Sequence, residues 1–317
     1  MSEPLAAKPG HALSWSGIGY MVSSVAALGF MHSLVRQIYE ATDYEITALQ
    51  VSMWRFTISA IVLWVFTLLA FREGHPFGAE SRRLSWRAAA VGFFYSFSSI
   101  AMYTSTRFIP VPVFIVLFYT YPMIISLLSS LLGMRLPRLF WLALVLTLAG
   151  VVLTVATELA GIDEMGAEAP LGIFAALAAA GLIASYIVAN QRILRSQGSD
   201  LQTVAIGVSW MISSGALTLI VIAFLSGQGL GLAVAREIWL QLIFLGLLVS
   251  FAIYAMNVGV QRLGGPQAAL VGNVEIIFTM LFAWLWLGEW LESLQFFGGA
   301  LILGSVVTYA RWQMQQR

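Results

Sequence analysis

The sequence predicts an all-α integral membrane protein with ten transmembrane helices, arranged as two inverted repeats of five helices. Three observations lead to this prediction. Of the 317 residues, 60% are hydrophobic and 10% are charged, whereas soluble domains carry about 25% charged residues. Lysine and arginine are distributed unevenly between the two sides of the predicted membrane. Finally, the two halves of the chain match each other at an offset of about 155 residues.

Ten hydrophobic runs are long enough to cross a bilayer, which takes about 20 mostly apolar residues. In chain order, their approximate spans are 14–35, 47–71, 87–106, 110–132, 138–157, 169–190, 201–225, 237–261, 266–287 and 293–312. The clearest breaks are the polar segment 72–87 and the acidic segment 158–168. The first run is longer than the roughly 7–15 apolar residues of a signal peptide, so we interpret it as a retained helix.

The positive charges predict the orientation of these helices. Arg36, Arg107 and Arg236 fall on the side opposite the N-terminus. Twelve basic residues fall on the side of the N-terminus: Lys8, Arg72, Arg82, Arg83, Arg87, Arg135, Arg138, Arg192, Arg195, Arg262, Arg311 and Arg317. Because cytoplasmic loops are enriched in lysine and arginine, both termini are predicted to be cytoplasmic. We expect a multi-pass protein of the bacterial inner (plasma) membrane, with the acidic loop outside.

The internal repeat divides the chain into two halves. At an offset of 155, Gly17 aligns with Gly172 and Arg107 aligns with Arg262. Five helices per half is an odd number, so the second half enters the membrane with the opposite topology. The predicted parts are a cytoplasmic tail 1–13, repeats 14–157 and 169–312 joined by the loop 158–168, and a cytoplasmic tail 313–317. Inverted repeats are typical of secondary transporters, whose substrate site lies near the bilayer midplane between the halves.

Arg55 is the only basic residue inside a predicted span. It lies roughly 13 Å into the second helix at about 1.5 Å per residue. A central arginine costs about 2.5–3.5 kcal/mol on insertion scales, so we expect it to face a cavity or a partner. One interpretation is structural, with the side chain snorkelling outward or bonding backbone carbonyls. The other is a clamp for an anionic group such as a substrate carboxylate, which suits the guanidinium geometry.

Glu275 is the corresponding acidic residue in the ninth predicted helix, roughly 14 Å from its start at about 1.5 Å per residue. Three roles fit a carboxylate at this depth. It is a proton-coupling site, a ligand for a substrate amine, or the ion-pair partner of Arg55. The sequence leaves these alternatives open.

Other polar and aromatic residues within the predicted helices form a second set, for which helix packing is the alternative to ligand contact. His32 has the side-chain chemistry of a proton relay. The set comprises His32, Trp54, Tyr95, Tyr103, Tyr119, Tyr121, Tyr186, Asn190, Trp210, Tyr254, Asn257 and Asn273. From it we take His32, Trp54, Tyr95, Tyr103, Tyr119, Tyr186, Asn190, Asn257 and Asn273 as candidates for substrate binding or coupling.

Proline and glycine mark two further features. Pro122 weakens the backbone hydrogen bonding of the fourth helix, and it is interpreted either as a hinge that lines a cavity or as an ordinary tolerated proline. Gly298, Gly299 and Gly304 give the tenth helix a smooth face for close packing. Packing within the chain is the expected use of this face, and a homodimer contact is the alternative.

The sequence also excludes several classes of function. It contains no P-loop, HExxH motif, nucleophile elbow or dinucleotide fingerprint, so we expect no enzyme activity. The absence of cysteine excludes disulfides and thiolate metal sites, and we expect neither a metal nor a cofactor. The net charge of +1 gives no footprint for nucleic acid. The expected partners are a small-molecule substrate and the lipid bilayer.

Three short motifs carry a resemblance to a known family. They are Trp54-Arg55-Phe56, then Tyr121-Pro122, and then the run from Asn273-Val274-Glu275 through Leu287-Gly288-Glu289 to Gln295 and Gly298–Gly304. In this order and spacing, over about residues 15–310, the sequence resembles the drug/metabolite transporter superfamily, specifically its EamA-type ten-helix members. Ile276 stands where the family commonly has proline, and Met134 replaces a glutamate expected in the first half.

The resemblance implies a transporter that exports small metabolites, often amino acids or related compounds, by alternating access. We favour amino acids because Arg55 and Glu275 lie at similar depths and would suit a carboxylate and an ammonium group. One alternative is a multidrug or sugar-nucleotide carrier of the same superfamily. The other is a membrane scaffold without transport activity, or an intramembrane enzyme.

Overall fold

The computed structural model describes residues 14–71, 79–160, 166–197, 200–288 and 290–315. Every regular element in these ranges is a helix. The helices are α1 (Trp15–Ala41), α2 (Ala48–Ala70), α3 (Ala79–Phe108), α4 (Val111–Phe118), α5 (Tyr121–Leu131), α6 (Arg138–Thr154), α7 (Ala156–Ala160), α8 (Ala169–Gln197), α9 (Leu201–Leu225), α10 (Leu232–Glu237), α11 (Trp239–Leu263), α12 (Gly265–Gly272), α13 (Glu275–Leu287) and α14 (Ser293–Gln315). The tail 1–13, the middle of the acidic loop, Glu289 and the last two residues lie outside the described ranges.

The prediction of an all-helical, multi-pass membrane protein is confirmed. Eight helices in the described ranges are long and apolar enough to cross a membrane, counting α4 with α5 and α12 with α13 as single spans. The remaining two predicted spans coincide with α3 and α6. Neither is among the eight, because serine and tyrosine residues lower the mean hydropathy of α3 and because α6 has only 17 residues. A total of ten membrane spans therefore stays a prediction.

Two predicted helix ends were too early. The sequence placed them at residues 35 and 190, whereas α1 continues to Ala41 and α8 to Gln197. In α1, Arg36 pairs with Glu40 one turn later, with Nε and Oε1 3.1 Å apart. An i,i+4 pair places both charges on one exposed face of the helix, so a charged residue does not end it.

The helices pack in antiparallel pairs, with α1 on α11 and α3 on α8. In the first pair, the Ser24 hydroxyl donates to the Ala252 carbonyl at 2.7 Å. In the second, the Ser98 hydroxyl donates to the Ala179 carbonyl at 2.9 Å. The start of α1 thus lies beside the end of α11, and the start of α8 lies beside the end of α3. Further pairs are α2 with α9 and α6 with α14.

The two ends of the bundle carry different segments. At one end, the start of α1 meets the end of α11, and the end of α8 meets Gly265. We call this the Trp15 end. At the other, the start of α2 meets the loop after α9, where the Gln50 amide donates to the Gln228 carbonyl at 2.9 Å. We call this the Ala41 end.

Close packing of α14 on α6 depends on two facing glycines. A Cβ at Gly298 would lie 2.6 Å from the Gly150 carbonyl oxygen, and a Cβ at Gly150 would lie 2.8 Å from the Gly298 carbonyl oxygen. Gly304, on the same helix, has open space around its Cβ position. The tenth predicted helix therefore uses Gly298 for contact within the chain, as expected. The homodimer alternative stays a prediction.

We expect Gly298→Ala to lower the free energy of unfolding by about 1–3 kcal/mol, because the added methyl group meets backbone atoms that cannot move independently. Gly304→Ala is the matched control on the same helix and should leave stability unchanged or slightly raised. Thermal unfolding of both variants in detergent measures the difference. Equal midpoints for the two variants would show that the α6–α14 contact is looser than described.

Candidate functional site

Two transmembrane segments are interrupted in the middle, and both interruptions lie beside candidate site residues. The first separates α4 from α5 at Tyr119 and Thr120, just before Pro122. The second separates α12 from α13 at Asn273 and Val274. Bonds of the i→i+3 type bridge both, from Thr120 N to Leu117 O (3.3 Å) and from Val274 N to Val271 O (3.1 Å). Such 3₁₀ turns within a helix often mark a functional hinge.

The second interruption forms without the proline that was expected after the glutamate. Glu275 becomes the first residue of α13, where the positive end of the helix dipole favours an anion. Its Oε1 lies 3.2 Å from Nε2 of His32 on α1. The Glu275 side chain is 17% exposed and that of His32 is 48% exposed. The structure thus joins two sequence-predicted candidates that are 243 positions apart.

Arg55 is buried, with 7% of its surface exposed. Its Nη1 lies 3.3 Å from the Met31 sulfur, and its Nη2 lies 3.3 Å from the Ser52 hydroxyl. Its Nε has no hydrogen-bond partner. No carboxylate of the described residues lies within ion-pair distance of the guanidinium, and Glu275 pairs with His32 instead. The ion pair between Arg55 and Glu275, one of three alternatives from the sequence, is therefore not formed in this structure.

Tyr95 connects the surroundings of the two charges. It is within electrostatic reach of both Arg55 and Glu275. Its ring packs against Phe56, with centroids 5.1 Å apart, and stacks on Tyr186 at 5.0 Å. A cation and an anion thus both act on one aromatic residue. We call Arg55, Tyr95, His32 and Glu275 the mid-bundle site.

More tyrosines surround the mid-bundle site. Tyr119 and Tyr121, at the first helix interruption, are within electrostatic reach of Glu275. The Tyr103 hydroxyl contacts the Ser52 hydroxyl, which in turn contacts Arg55. The rings give the site an apolar wall, and the hydroxyls give it groups that both donate and accept hydrogen bonds.

A buried amide cluster extends from the site. The Asn257 amide donates to the Tyr186 hydroxyl at 3.1 Å and to the Ile253 carbonyl at 2.8 Å. Asn190 bonds to Asn257. Because Tyr186 stacks on Tyr95, the cluster is connected to the mid-bundle site. Asn273 is 2% exposed at the second interruption, and its Oδ1 has no partner.

Trp54 is the candidate that the structure places elsewhere. Its indole N–H donates to the Leu230 carbonyl at 2.9 Å, and its ring meets Trp239 edge to face at 5.5 Å. Both contacts lie at the Ala41 end. Neighbouring residues on a helix point in directions about 100° apart, so Trp54 faces away from the site that Arg55 faces.

The sequence interpretation missed three residues of this region. Ser52 and Met31 contact Arg55 directly, and Tyr39 lies within its electrostatic reach. Helical spacing could have found Ser52, since residues three apart share a helix face. Tyr39 was missed because the first helix was ended too early.

At the Trp15 end of the bundle, buried amide side chains gather around Gly264 and Gly265. The Gly265 N–H donates to Gln191 Oε1 at 3.0 Å, and Arg195 donates to the Gln261 carbonyl at 3.4 Å. Several atoms in this group are buried without partners, namely Gln191 Nε2, Gln261 Oε1 and Gln267 Oε1. We call these three glutamines the amide seal. Buried polar atoms without partners cost about 1–3 kcal/mol each, so they call for a physical explanation.

We expect Arg55→Met to raise the free energy of unfolding by about 1–4 kcal/mol, because it replaces a buried, unpaired cation by an apolar side chain. The exposed Arg36→Met is the control and should change stability by less than about 1 kcal/mol. Thermal unfolding in detergent compares the two. A lower midpoint for Arg55→Met would show that Arg55 is a structural residue.

Comparison with known proteins divides the chain into two halves, as the internal repeat does. The model of the EamA-like transporter family matches residues 15–156 and again residues 170–311. An uncharacterized transporter of Synechocystis sp. is 27% identical over 261 residues, which cover 77% of this chain and 76% of that protein. A solved crystal structure superposes with a TM-score of 0.72 and 18% identity, covering 94% of this chain and 99% of its own. That last likeness shows a shared fold.

Proposed function

The chain belongs to the EamA-like transporter family, and from this premise we propose that it exports small metabolites, with amino acids as the favoured substrates. The observation that carries this proposal is the buried Arg55, which has no carboxylate partner among the described residues and lies near Tyr95, a residue also within electrostatic reach of Glu275. An amino acid has a carboxylate for the guanidinium and an ammonium group for the glutamate. The tyrosine rings around the site suit an apolar or aromatic side chain.

Pairs of equivalent contacts support two inverted repeats of five helices. The Ser59 hydroxyl donates to the Gly246 carbonyl at 3.0 Å, and Ser214, which is 155 positions later, donates to the Ala89 carbonyl at 2.7 Å. A Cβ at Gly17 would meet Leu263, and one at Gly172 would meet Ile109. All four contacts join one half of the chain to the other. The partner in the second contact of each kind lies within two residues of the position that the offset of 155 gives. Ten spans, with α3 and α6 as the third and fifth, complete this arrangement.

The amide seal supports transport by alternating access. Polar atoms that are buried without partners in one state are explained if water reaches them in another. The Trp15 end carries Arg195 and Arg262, so the excess of positive charge assigns it to the cytoplasm. The proposal therefore takes the state with a buried amide seal as the one closed towards the cytoplasm, and it keeps the prediction that both termini lie on the cytoplasmic side of the inner membrane.

The first experiment is transport into liposomes that contain the purified protein. Arg55→Gln and Glu275→Gln should each slow amino-acid transport about 10- to 100-fold, since a charge-assisted hydrogen bond contributes about 1.5–3 kcal/mol. Arg55→Gln should also remove the preference for an amino acid over the amine that lacks its carboxylate. The exposed Arg236→Gln is the control and should transport like the parent.

Two outcomes would redirect this proposal. Parental rates in both site variants would contradict the assignment of the mid-bundle site. Transport of a lipophilic cation that depends on Glu275 but not on Arg55 would favour the multidrug alternative.

Alternating access can be tested with single cysteines, because the chain has none of its own. Gln261 is buried in the amide seal, and Thr106, 155 positions earlier, is half-buried at the Ala41 end. We expect Thr106→Cys to react faster than Gln261→Cys with a charged thiol reagent. Saturating substrate should change the two rates in opposite directions, and the exposed Arg311→Cys should not respond. Changes in the same direction would contradict alternation.

A further inference from the structure

We propose that the Trp15 end of the bundle holds a second carboxylate site, formed by Gln191, Arg195 and the start of α12, at which the substrate's carboxylate binds before it reaches Arg55. This inference rests on the proposed function and adds a step to the path of the substrate. Three features support it: a cation without an anion, a buried amide donor without an acceptor, and a space between them beside Gly264. We call Gln191, Arg195 and Gly264 the Arg195 site.

Arg195 is a half-buried cation near the end of α8. Its Nη2 donates to the Gln261 carbonyl at 3.4 Å, and it makes no ion pair among the described residues. Arg192, about one turn earlier on the same helix, is exposed. The guanidinium of Arg195 is thus directed towards α11, where a carboxylate would form charge-assisted hydrogen bonds with it.

The first half of the chain has a different solution at the same two positions. At the offset of 155 residues, Gln191 corresponds to Arg36 and Arg195 corresponds to Glu40. In α1 these positions form an ion pair, with Nε and Oε1 3.1 Å apart. In α8 they hold an amide and a cation. The chain therefore neutralises the charge near the end of α1 but leaves the charge near the end of α8 for an anion from outside.

Gln191 adds a donor that the chain does not use. Its side chain is buried, with the residue 5% exposed. Its Oε1 accepts from the Gly265 N–H at 3.0 Å, which holds the amide in place, and its Nε2 has no hydrogen-bond partner. Buried polar groups are nearly always paired, so an acceptor that binds here would explain the orientation of this amide.

The two side chains meet beside Gly264, the residue before α12. A Cβ at Gly264 would lie 3.0 Å from Gln267 Oε1, 3.7 Å from Gln191 Nε2 and 3.9 Å from Arg195 Nη2. Gly264 has a φ of 92°, which favours glycine, so no side chain of its own fills this space. The start of α12 adds the positive end of a helix dipole. The Gln267 amide can turn by 180° and present its nitrogen, so that it also donates to an anion.

The Arg195 site is separate from the mid-bundle site. It lies at the start of α12, which has eight residues and therefore spans about 12 Å at about 1.5 Å per residue. Glu275 follows beyond the other end of this helix. The carboxylate and the ammonium group of an amino acid share one carbon atom, so one substrate cannot contact both sites at once. A substrate that enters at the Trp15 end meets the Arg195 site first.

The first test uses sodium acetate, which offers a carboxylate without an amine. A ligand that binds the folded protein raises the midpoint of thermal unfolding by mass action. In detergent, we expect saturating acetate to raise this midpoint by about 2–4 °C for the parent and for Arg192→Gln, the matched control on the same helix. Arg195→Gln should show at most half of this rise. The comparison of the two arginine variants removes the general effect of salt.

Two further variants make this test specific. Arg55→Gln removes acetate that binds at the mid-bundle site. We expect it to keep an acetate effect by itself and to lose the effect when it is combined with Arg195→Gln. Gln191→Glu keeps an oxygen for the Gly265 N–H and supplies a carboxylate beside Arg195 from within the chain. It should respond to acetate as weakly as Arg195→Gln does, and it decides the test should Arg195→Gln fail to fold.

The second test identifies the carboxylate as that of the substrate. In liposomes, Arg195→Gln should raise the half-saturating concentration of the transported amino acid about tenfold, because it removes a charge-assisted hydrogen bond. Arg192→Gln should not change this concentration. Acetate on the side from which the substrate enters should compete with the amino acid, whereas acetamide, its neutral analogue, should not.

The other outcomes have separate meanings. Equal acetate effects in Arg195→Gln and Arg192→Gln overturn the Arg195 site. A lost acetate effect with an unchanged half-saturating concentration in Arg195→Gln overturns the role of the substrate and assigns the site to free carboxylates. Absence of amino-acid transport by the parent overturns the proposed function, and with it the role of the substrate at this site, while the acetate measurements still decide whether the site binds a carboxylate.

Discussion

The structure of the site depends on one constraint, the burial of a guanidinium without an anion. Apolar surroundings make an unpaired charge costly, so such a residue persists where its partner arrives from outside the chain. Arg55 has a thioether and a hydroxyl as neighbours, and neither neutralises it. The residues that could have done so are engaged elsewhere, since Glu275 pairs with His32. Two opposite charges thus stay separate, and the proposed zwitterionic substrate would satisfy both.

The interrupted helices make this separation feasible. In a bilayer, every backbone group needs a partner, and a helix can be broken only where neighbouring groups satisfy the freed bonds. The turns at Thr120 and Val274 solve this with i→i+3 bonds, which keep the backbone paired while changing the direction of the side chains. One turn brings Tyr119 to the site and the other brings Glu275. Because these turns contain fewer regular bonds than a helix, they are also where the segments can bend.

The sequence predicted the helix positions, because these follow from hydrophobicity along the chain, and the depth of the two charges in the membrane stays a prediction. It could not predict which side chains contact each other across the helices. Nothing near His32 in the chain indicates Glu275, 243 positions away, since that contact depends on how α1 packs on α13. From their depth in the second helix, Trp54 and Arg55 were both taken as candidate site residues. In the structure, Trp54 contacts Leu230 and Trp239, whereas Arg55 contacts Met31 and Ser52. The first helix was predicted to end at residue 35 because Arg36 follows it. The contact between Arg36 and Glu40, which allows the helix to continue past this charge, is seen only in the structure.

The mid-bundle site breaks the symmetry that the proposed repeats provide. At the offset of 155, Arg55 corresponds to Trp210, Glu275 to Thr120, and His32 to Ile187, so none of the three ionisable groups has an ionisable counterpart. In transporters built from inverted repeats, two similar halves allow alternating access to a site between them. Two equivalent sets of charges would give such a fold two sites. With the cation and the histidine in one half and the carboxylate in the other, the proposed site is single and needs both halves to form.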